Sequence, residues 1–406
     1  MFVPLSYNLR SLFVRKSATL LTVLGIGATV AIVSGVVALI MGFRTMFTAG
    51  GRDDVAVFLR PGANSEGDSQ FSRDRGLKLI KSVPEIAEGQ QGPLASMEAY
   101  LAVLLSPERG GLTNVPLRGV QAPTFEIRKD ELHVVEGENF RSGSDELIVG
   151  QRLVGHIQGC HIGGVITLNK TPFRVVGVFE HEGQFGGEIW GDLDRLLAAM
   201  GRYGPNRVIA QLRPGTEIGA PDPTQVMFSD DPPQPKEGTM AARLLTDTEV
   251  PAKVYSETQF LASQTVMLTG LLGFLAVALG LIMGLAAIFT ATNTMLSALA
   301  ARTHEIGILL AMGFRPVPIF ISFMFEALVL GLIGGLAGSV MALPFNGVRA
   351  GTMNFQTFTE MAFSFRVTPL VLGIAISFAM MLGLLGGAWP AWRAARLKPT
   401  IALRQG

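Results

Sequence analysis

Residues 291–340 read ATNTMLSALAARTHEIGILLAMGFRPVPIFISFMFEALVLGLIGGLAGSV. Two apolar runs meet there at a short charged hinge, Arg302-Thr303-His304-Glu305, which continues through Ile306-Gly307-Ile308-Leu309 and Gly313-Phe314-Arg315-Pro316. Apolar runs of this length belong in a bilayer, so the hinge sits at one water interface. A compact amphipathic element between two membrane helices is placed to receive a push from outside the membrane.

Outward from the hinge, charge is unevenly spread. Only 16% of the 406 residues are charged, against about a quarter in a soluble globular chain. Ser17–Phe43, Thr258–Ala301, Ala327–Val348 and Val367–Trp392 carry no charge, and each is long enough to span a hydrocarbon core. Residues 44–263 have ordinary globular composition, with 22 Lys+Arg against 29 Asp+Glu, a net −7 that leaves +8 on the rest. The basic excess thus belongs to the membrane part and gives no nucleic-acid footprint. A single cysteine, Cys160, excludes an intrachain disulfide. The uncharged run after Arg10, Arg15 and Lys16 exceeds a signal-peptide core, and no small-x-small cleavage site follows, so it reads as a retained membrane helix.

Loop charge selects the topology. With four helices, Arg10, Arg15, Lys16, Arg302, Arg315, Arg393, Arg396, Lys398 and Arg404 share one side, while the short opposite loop has Arg349 and Arg366. Splitting residues 258–301 into two helices removes that bias. The positive-inside rule therefore predicts both termini in the cytoplasm. As one helix, residues 258–301 would be about 66 Å long, against about 30 Å of hydrocarbon, so the second helix is expected to project beyond the bilayer. Trp389 and Trp392 fall where indoles anchor at the cytoplasmic interface.

The expected fold class is a polytopic α-helical membrane protein with four transmembrane helices (1+3) and a large α+β extracytoplasmic domain between the first and second. The expected segments are a cytoplasmic interfacial helix (1–16), transmembrane helix 1 (17–43), the extracytoplasmic domain (44–263), helix 2 (264–290), the hinge segment (291–316), helix 3 (317–342), a short outer loop (343–366), helix 4 (367–389) and a cytoplasmic tail (390–406). In the outer domain, strands are predicted at Val55–Leu59, Tyr100–Leu105, Leu147–Val149 and Val208–Leu212, with helices at Ser72–Ser82, near Gln151–Ile157 and at Asp192–Met200. Val165–Leu168 and Phe173–Phe179 flank Asn169-Lys170 as a hairpin. The proline-rich stretch Pro214–Pro251 reads as a long surface excursion.

These pieces resemble the permeases of the MacB/FtsX type of ABC transporter, a superfamily that includes lipoprotein-releasing and DevC-like permeases. The resemblance is carried by Asn8-Leu9-Arg10 with Leu20–Ile26, by Ile148-Val149-Gly150 and Phe173–Val178, and by Glu305–Leu309 through Ala311-Met312-Gly313. Phe325-Glu326-Ala327 with Gly334, Gly335 and Gly338, and Pro390–Pro399 with Ala402-Leu403-Arg404, complete it. It implies a MacB-like core domain outside, a separate ABC ATPase subunit that uses ATP and Mg, and a second permease copy or paralogue forming a dimer. It also implies export or extraction driven by mechanotransmission in the inner membrane, with a periplasmic adaptor as a further partner. The family usually sets its coupling glutamate in a denser basic cluster, where this chain has Thr303, His304 and Leu310. Two other readings are an FtsX-like regulator of a cell-wall hydrolase and a sensor of an extracellular ligand.

The candidate coupling residues are Arg302, His304, Glu305, Ile306, Gly307, Leu309 and Gly313, with Ile306, Leu309 and Leu310 able to dock in an ATPase groove; the plain alternative is an interfacial loop. Glu326 lies inside the third helix, where an ionised carboxylate costs about 2.5–3.5 kcal/mol at mid-bilayer and needs a partner. Asn293 and Thr290 are candidates for that role, and relay or gating is the functional alternative. Gly334/Gly338 and Gly280/Gly284 make small-x-x-x-small faces for helix packing. No G-x-x-x-x-G-K-[ST] occurs in the chain, so no P-loop cradles phosphates here, and ATPase activity is expected only in a partner. His156, Cys160 and His161 match no common zinc spacing, His181-Glu182 reads as a solvated loop pair, and no bound cofactor or metal is expected. Membrane lipids are the remaining partner, and no nucleic acid is.

Overall fold

The computed structural model describes residues 16–397 except 49, 91, 223–232, 314 and 354–359. The expected interfacial helix at 1–16 and the end of the tail therefore lie outside the described residues. The helices are α1 (Lys16–Thr48), α2 (Arg73–Ser82), α3 (Ala122–Ile127), α4 (Leu193–Met200), α5 (Met240–Thr246), α6 (Glu257–Ser263), α7 (Val266–Ala301), α8 (Thr303–Ala311), α9 (Pro316–Ala342) and α10 (Pro369–Ala395). The chain divides into two units: residues 43–269 with 350–363 form the α+β unit, and the remainder holds the long helices. Four helices are long and apolar enough to cross a membrane, spanning Thr19–Thr45, Val266–Ala301, Pro316–Phe345 and Pro369–Ala395. The second runs past the boundary at 290 set from the sequence, because residues 291–301 hold neither glycine nor proline to stop it.

In the helical unit, packing depends on absent side chains. A Cβ added at Gly338 of α9 would lie 2.5 Å from Gly27 O on α1, and one at Gly334 would lie 2.7 Å from Ile26 Cγ2. Between α9 and α10, a Cβ at Gly331 would meet Ala379 O at 2.7 Å, and one at Gly383 would meet Ala327 O at 2.5 Å. Such approaches bring backbones into dispersion contact where lipid offers no hydrophobic drive. The expected pair on α7 is looser. Gly284 is tight against Leu382 at 3.2 Å, but at Gly280 a Cβ meets Val33 at an ordinary 3.7 Å and Phe378 at 4.0 Å, so Gly280 is not a close-packing position.

Several polar groups in this unit are matched across helices. Pro390 lies inside α10 and cannot donate to the carbonyl four residues back. Thr292 Oγ1 of α7 donates to that carbonyl, Gly386 O, at 2.8 Å. Thr22 and Thr294 share a hydroxyl–hydroxyl bond of 2.6 Å between α1 and α7.

The α+β unit is built on ten strands: β1 (Val55–Leu59), β2 (Ala95–Leu105), β3 (Thr113–Val120), β4 (His133–Gly137), β5 (Glu146–Gly150), β6 (Val165–Leu168), β7 (Thr171–Glu180), β8 (Ile189–Asp192), β9 (Arg207–Gln211) and β10 (Lys253–Ser256). They run in the order β10-β1-β9-β2-β3-β8-β5-β7-β4, with β6 paired to β7. Only β3/β8 and β5/β7 are parallel. The β6–β7 hairpin turns at Asn169 and Lys170 with φ of 44° and 79°, the left-handed geometry of a two-residue turn. Asp192 caps α4 by accepting from Asp194 N and Arg195 N, and Gly201 closes it at φ 64°.

Three readings are corrected here. The helix expected near Gln151–Ile157 is a single 3-10 turn, Gln151–Leu153, because Gly155 and Gly159 take positive φ. The proline-rich stretch is not all surface: Ile218, Met240, Ala241, Leu244 and Val250 enter the core with β1, β2 and β9. His181 is buried rather than solvated, its Nδ1 accepting from Gly183 N at 2.9 Å and its ring packed edge-on against Phe185.

The core of this unit also holds three arginines and four glutamates that composition could not flag. Register places Arg207 of β9 directly opposite Glu98 of β2, and Arg118 of β3 opposite Tyr100. Arg207 Nη2 meets Glu98 Oε2 at 2.6 Å and its Nη1 meets Glu66 at 2.6 Å. Arg118 grips Glu188 with two bonds of 2.6 and 2.8 Å and reaches Glu66 at 2.7 Å. Arg128 pairs with Glu257, and the Phe185 ring underlies Arg118, Arg128 and Arg207. Burial alone would raise the Glu98 pKa. The guanidiniums of Arg207, Arg118 and Arg128 outweigh it and hold the carboxyl at about 2.

Two outcomes follow for stability. Because the Glu98 pKa is depressed, its contribution is complete above the ordinary glutamate value of 4.5 and fades as pH falls toward about 2. Urea unfolding across that window should show the loss, and Glu98→Gln should flatten it while costing about 3–5 kcal/mol at neutral pH. In the helical unit, Gly338→Val should lower the detergent-solubilised melting temperature through overpacking worth about 1–3 kcal/mol. Gly373→Ala, at a site with nothing within 4 Å of the new methyl, should leave the melting temperature unchanged or higher.

Candidate functional site

The hinge forms α8, a helix of nine residues between α7 and α9. The chain turns sharply at Arg302, whose backbone lies at φ −112° and ψ 5°, and Thr303 Oγ1 ties the turn back to Leu299 O at 3.0 Å. At the far end Gly313 takes φ 92°, a conformation that only glycine holds without strain. Pro316 then starts α9 at a position where its missing N–H costs nothing.

Helical periodicity sorts α8 into two faces. Ile306 and Gly307 are buried, and Ile306 and Leu310 join a core with Leu299, Ile319, Phe323 and Ala391. His304, Glu305, Ile308, Ala311 and Met312 are exposed, a set of spacings that lies along one side of a helix. Leu309 is half-buried at the boundary. The expected docking role of Ile306 is thus corrected: its side chain is spent on packing α8 against the bundle. Ile308 and Met312 stand outside instead, and the apolar character of the segment concealed which residues face which way.

Glu326 lies about 15 Å along α9 from its start. Its Oε2 meets Arg302 Nη1 at 3.2 Å, and both side chains are largely withdrawn from solvent, at 5% and 13% exposure. The expected partners Asn293 and Thr290 are elsewhere: Asn293 is exposed, and Thr290 Oγ1 donates to Ala286 O. A guanidinium reaching in from the α7–α8 turn therefore neutralises the intramembrane carboxylate. Both residues were singled out from the sequence, but nothing in their spacing announced that they meet.

Other candidate groups do not assemble. His156 and His161 are exposed, Cys160 is buried, and burial pushes its thiol up to about 12, which makes it a poor nucleophile or ligand. Among the described residues, no cluster of three or more His, Cys, Asp or Glu could hold a metal.

Two family models match the chain: the MacB-like periplasmic core domain over residues 19–220 and the FtsX-like permease C-terminal over residues 277–399. The second spans α8 and Glu326. The chain is similar to the pyoverdine export ATP-binding/permease protein PvdT of Pseudomonas savastanoi pv. phaseolicola, at 28% identity over 97% of this chain and 58% of that one. It is similar to the macrolide export ATP-binding/permease protein MacB of Agrobacterium fabrum, at 28% identity over 97% of this chain and 59% of that one. It also resembles the uncharacterized ABC transporter permease YvrN of Bacillus subtilis, at 26% identity over 98% of both chains. The chain thus spans under two thirds of the two export relatives.

The ion pair is testable by a double-mutant cycle. Arg302→Met and Glu326→Leu should each lower the melting temperature in detergent, since each removes one half of the pair. The double variant should recover much of the loss, with a coupling of about 1–3 kcal/mol. Simple additivity would show that the two side chains do not act as a pair.

Proposed function

The chain belongs to the MacB/FtsX-type ABC transporter permeases, and we propose that it converts ATP hydrolysis by a separate ATPase subunit into movement of its extracytoplasmic domain. Its four apolar helices and its family make it a multi-pass protein of the inner membrane. The observation that carries the proposal is the two-faced α8. Its outer side presents His304, Glu305, Ile308 and Met312, while its inner side is packed through Ile306 and Leu310 into the helix bundle. A load applied to the outer face would pass directly to α9 through that core and through the Arg302–Glu326 pair.

In this reading α1 and α7, each continuous across the boundary in sequence between the two units, carry the movement outward. ATP and Mg are used by the partner, and a second permease copy or paralogue completes a dimer. Export is favoured over hydrolase regulation because the PvdT and MacB relatives, each matched over 97% of this chain, carry export in their names. The loop-charge asymmetry supports cytoplasmic termini, and a periplasmic adaptor remains a further partner of the outer domain.

An affinity pull-down of the tagged protein in mild detergent tests the proposal. A chain bearing a Walker A sequence should co-purify in equal amount and hydrolyse ATP. Glu305→Lys with Ile308→Asp, both on the exposed face, should abolish the association without changing the melting temperature. Co-purification that survives this double change would place coupling elsewhere than α8, and the absence of any ATPase under every nucleotide condition would sink the proposal.

A further inference from the structure

The last turns of α10 carry an ordered exposed stripe. Met381 and Leu385 are followed by Trp389 and Trp392, then by Arg393 and Arg396. The spacing keeps the first five on one helix face, with Arg396 at the C-cap, while Gly386, Gly387, Pro390, Ala391 and Ala394 face the bundle. Along the helix axis the stripe runs from aliphatic to indole to guanidinium, the same sequence of environments that a bilayer offers from hydrocarbon to headgroup. Trp389 is 51% exposed and Trp392 48%, large aromatic surfaces that the described residues leave half open.

The two arginines are held in place. Arg393 Cζ sits 5.7 Å from the centre of the Trp389 ring, and Arg396 Cζ sits 4.4 Å from that of Trp392. Each guanidinium is thereby attracted to an indole face, while its N–H donors stay available at the edges. Among the described residues neither arginine meets a carboxylate. Two Arg-on-Trp pairs one turn apart form a cationic shelf at the end of α10, and the planar fork of arginine suits a phosphate oxygen pair.

We propose that Trp389, Trp392, Arg393 and Arg396 form a binding site for the headgroup of an anionic phospholipid. The indoles set the depth and the guanidiniums take the phosphodiester. The proposal rests on the reading of α10 as a membrane-crossing helix. It adds to that reading a preference for one class of lipid.

The chain has three tryptophans, and the third, Trp190, is fully buried in the α+β unit, so lipid-borne quenchers report on Trp389 and Trp392. Full-length protein in nanodiscs would be titrated with brominated phosphatidylglycerol or brominated phosphatidylcholine at equal mole fraction. Wild type should favour phosphatidylglycerol roughly tenfold. Arg393→Gln with Arg396→Gln should lose that preference while keeping the quenching by phosphatidylcholine, and Arg393→Lys with Arg396→Lys should keep part of it. Equal quenching by both lipids in wild type, or a preference unchanged by the glutamine variant, would overturn the site. Removal of the preference by soluble glycerol 3-phosphate would make it a free-phosphate site and overturn the lipid assignment. Quenching by neither lipid would mean that this end of α10 is not at the bilayer, a failure of the membrane reading itself.

Discussion

A carboxylate on a helix that crosses hydrocarbon must find a cation, and in this chain Glu326 finds Arg302. The pairing constrains everything near it. Arg302 reaches Glu326 from the turn that ends α7, so the turn, the start of α8 and the middle of α9 are held in one arrangement. The apolar stripe of Ile306 and Leu310 adds packing to the same junction. In the proposed coupling role, an amphipathic helix clamped in this way would transmit a displacement that a loosely attached interfacial loop would absorb.

The same electrostatic rule works differently in the α+β unit. Three arginines and four glutamates are buried there, each carboxylate meeting at least one guanidinium. Buried ion pairs of this kind add little net stability over apolar packing, yet removing one partner is costly. Their consequence is a unique arrangement of strands β9, β2, β3 and β8, since any slip of register separates Arg207 from Glu98.

Much of the architecture was legible along the chain because local rules decide it. Uncharged runs marked the membrane helices, Asn169-Lys170 marked the hairpin, and Asp192 marked the start of α4. Strands β3, β8 and β10 escaped notice because they are short or interrupted by Pro116, Gly119 and Gly191, and β8 and β10 gain their pairing only from neighbours distant in sequence. The glycine at 383 escaped for a related reason: a glycine in an apolar helix looks the same whether it faces lipid or another backbone.

The sequence alone determined that four helices cross a membrane, that a large α+β domain lies between the first and second, and that a charged hinge separates the second and third. Those properties follow from composition and from the length of apolar runs. Tertiary structure decided which face of α8 is free, that Glu326 belongs to Arg302, that Gly338 meets Gly27 while Gly280 meets little, and that His181 lies inside. Each of those depends on which distant segment occupies the neighbouring space, and periodicity along one chain carries no record of what stands opposite.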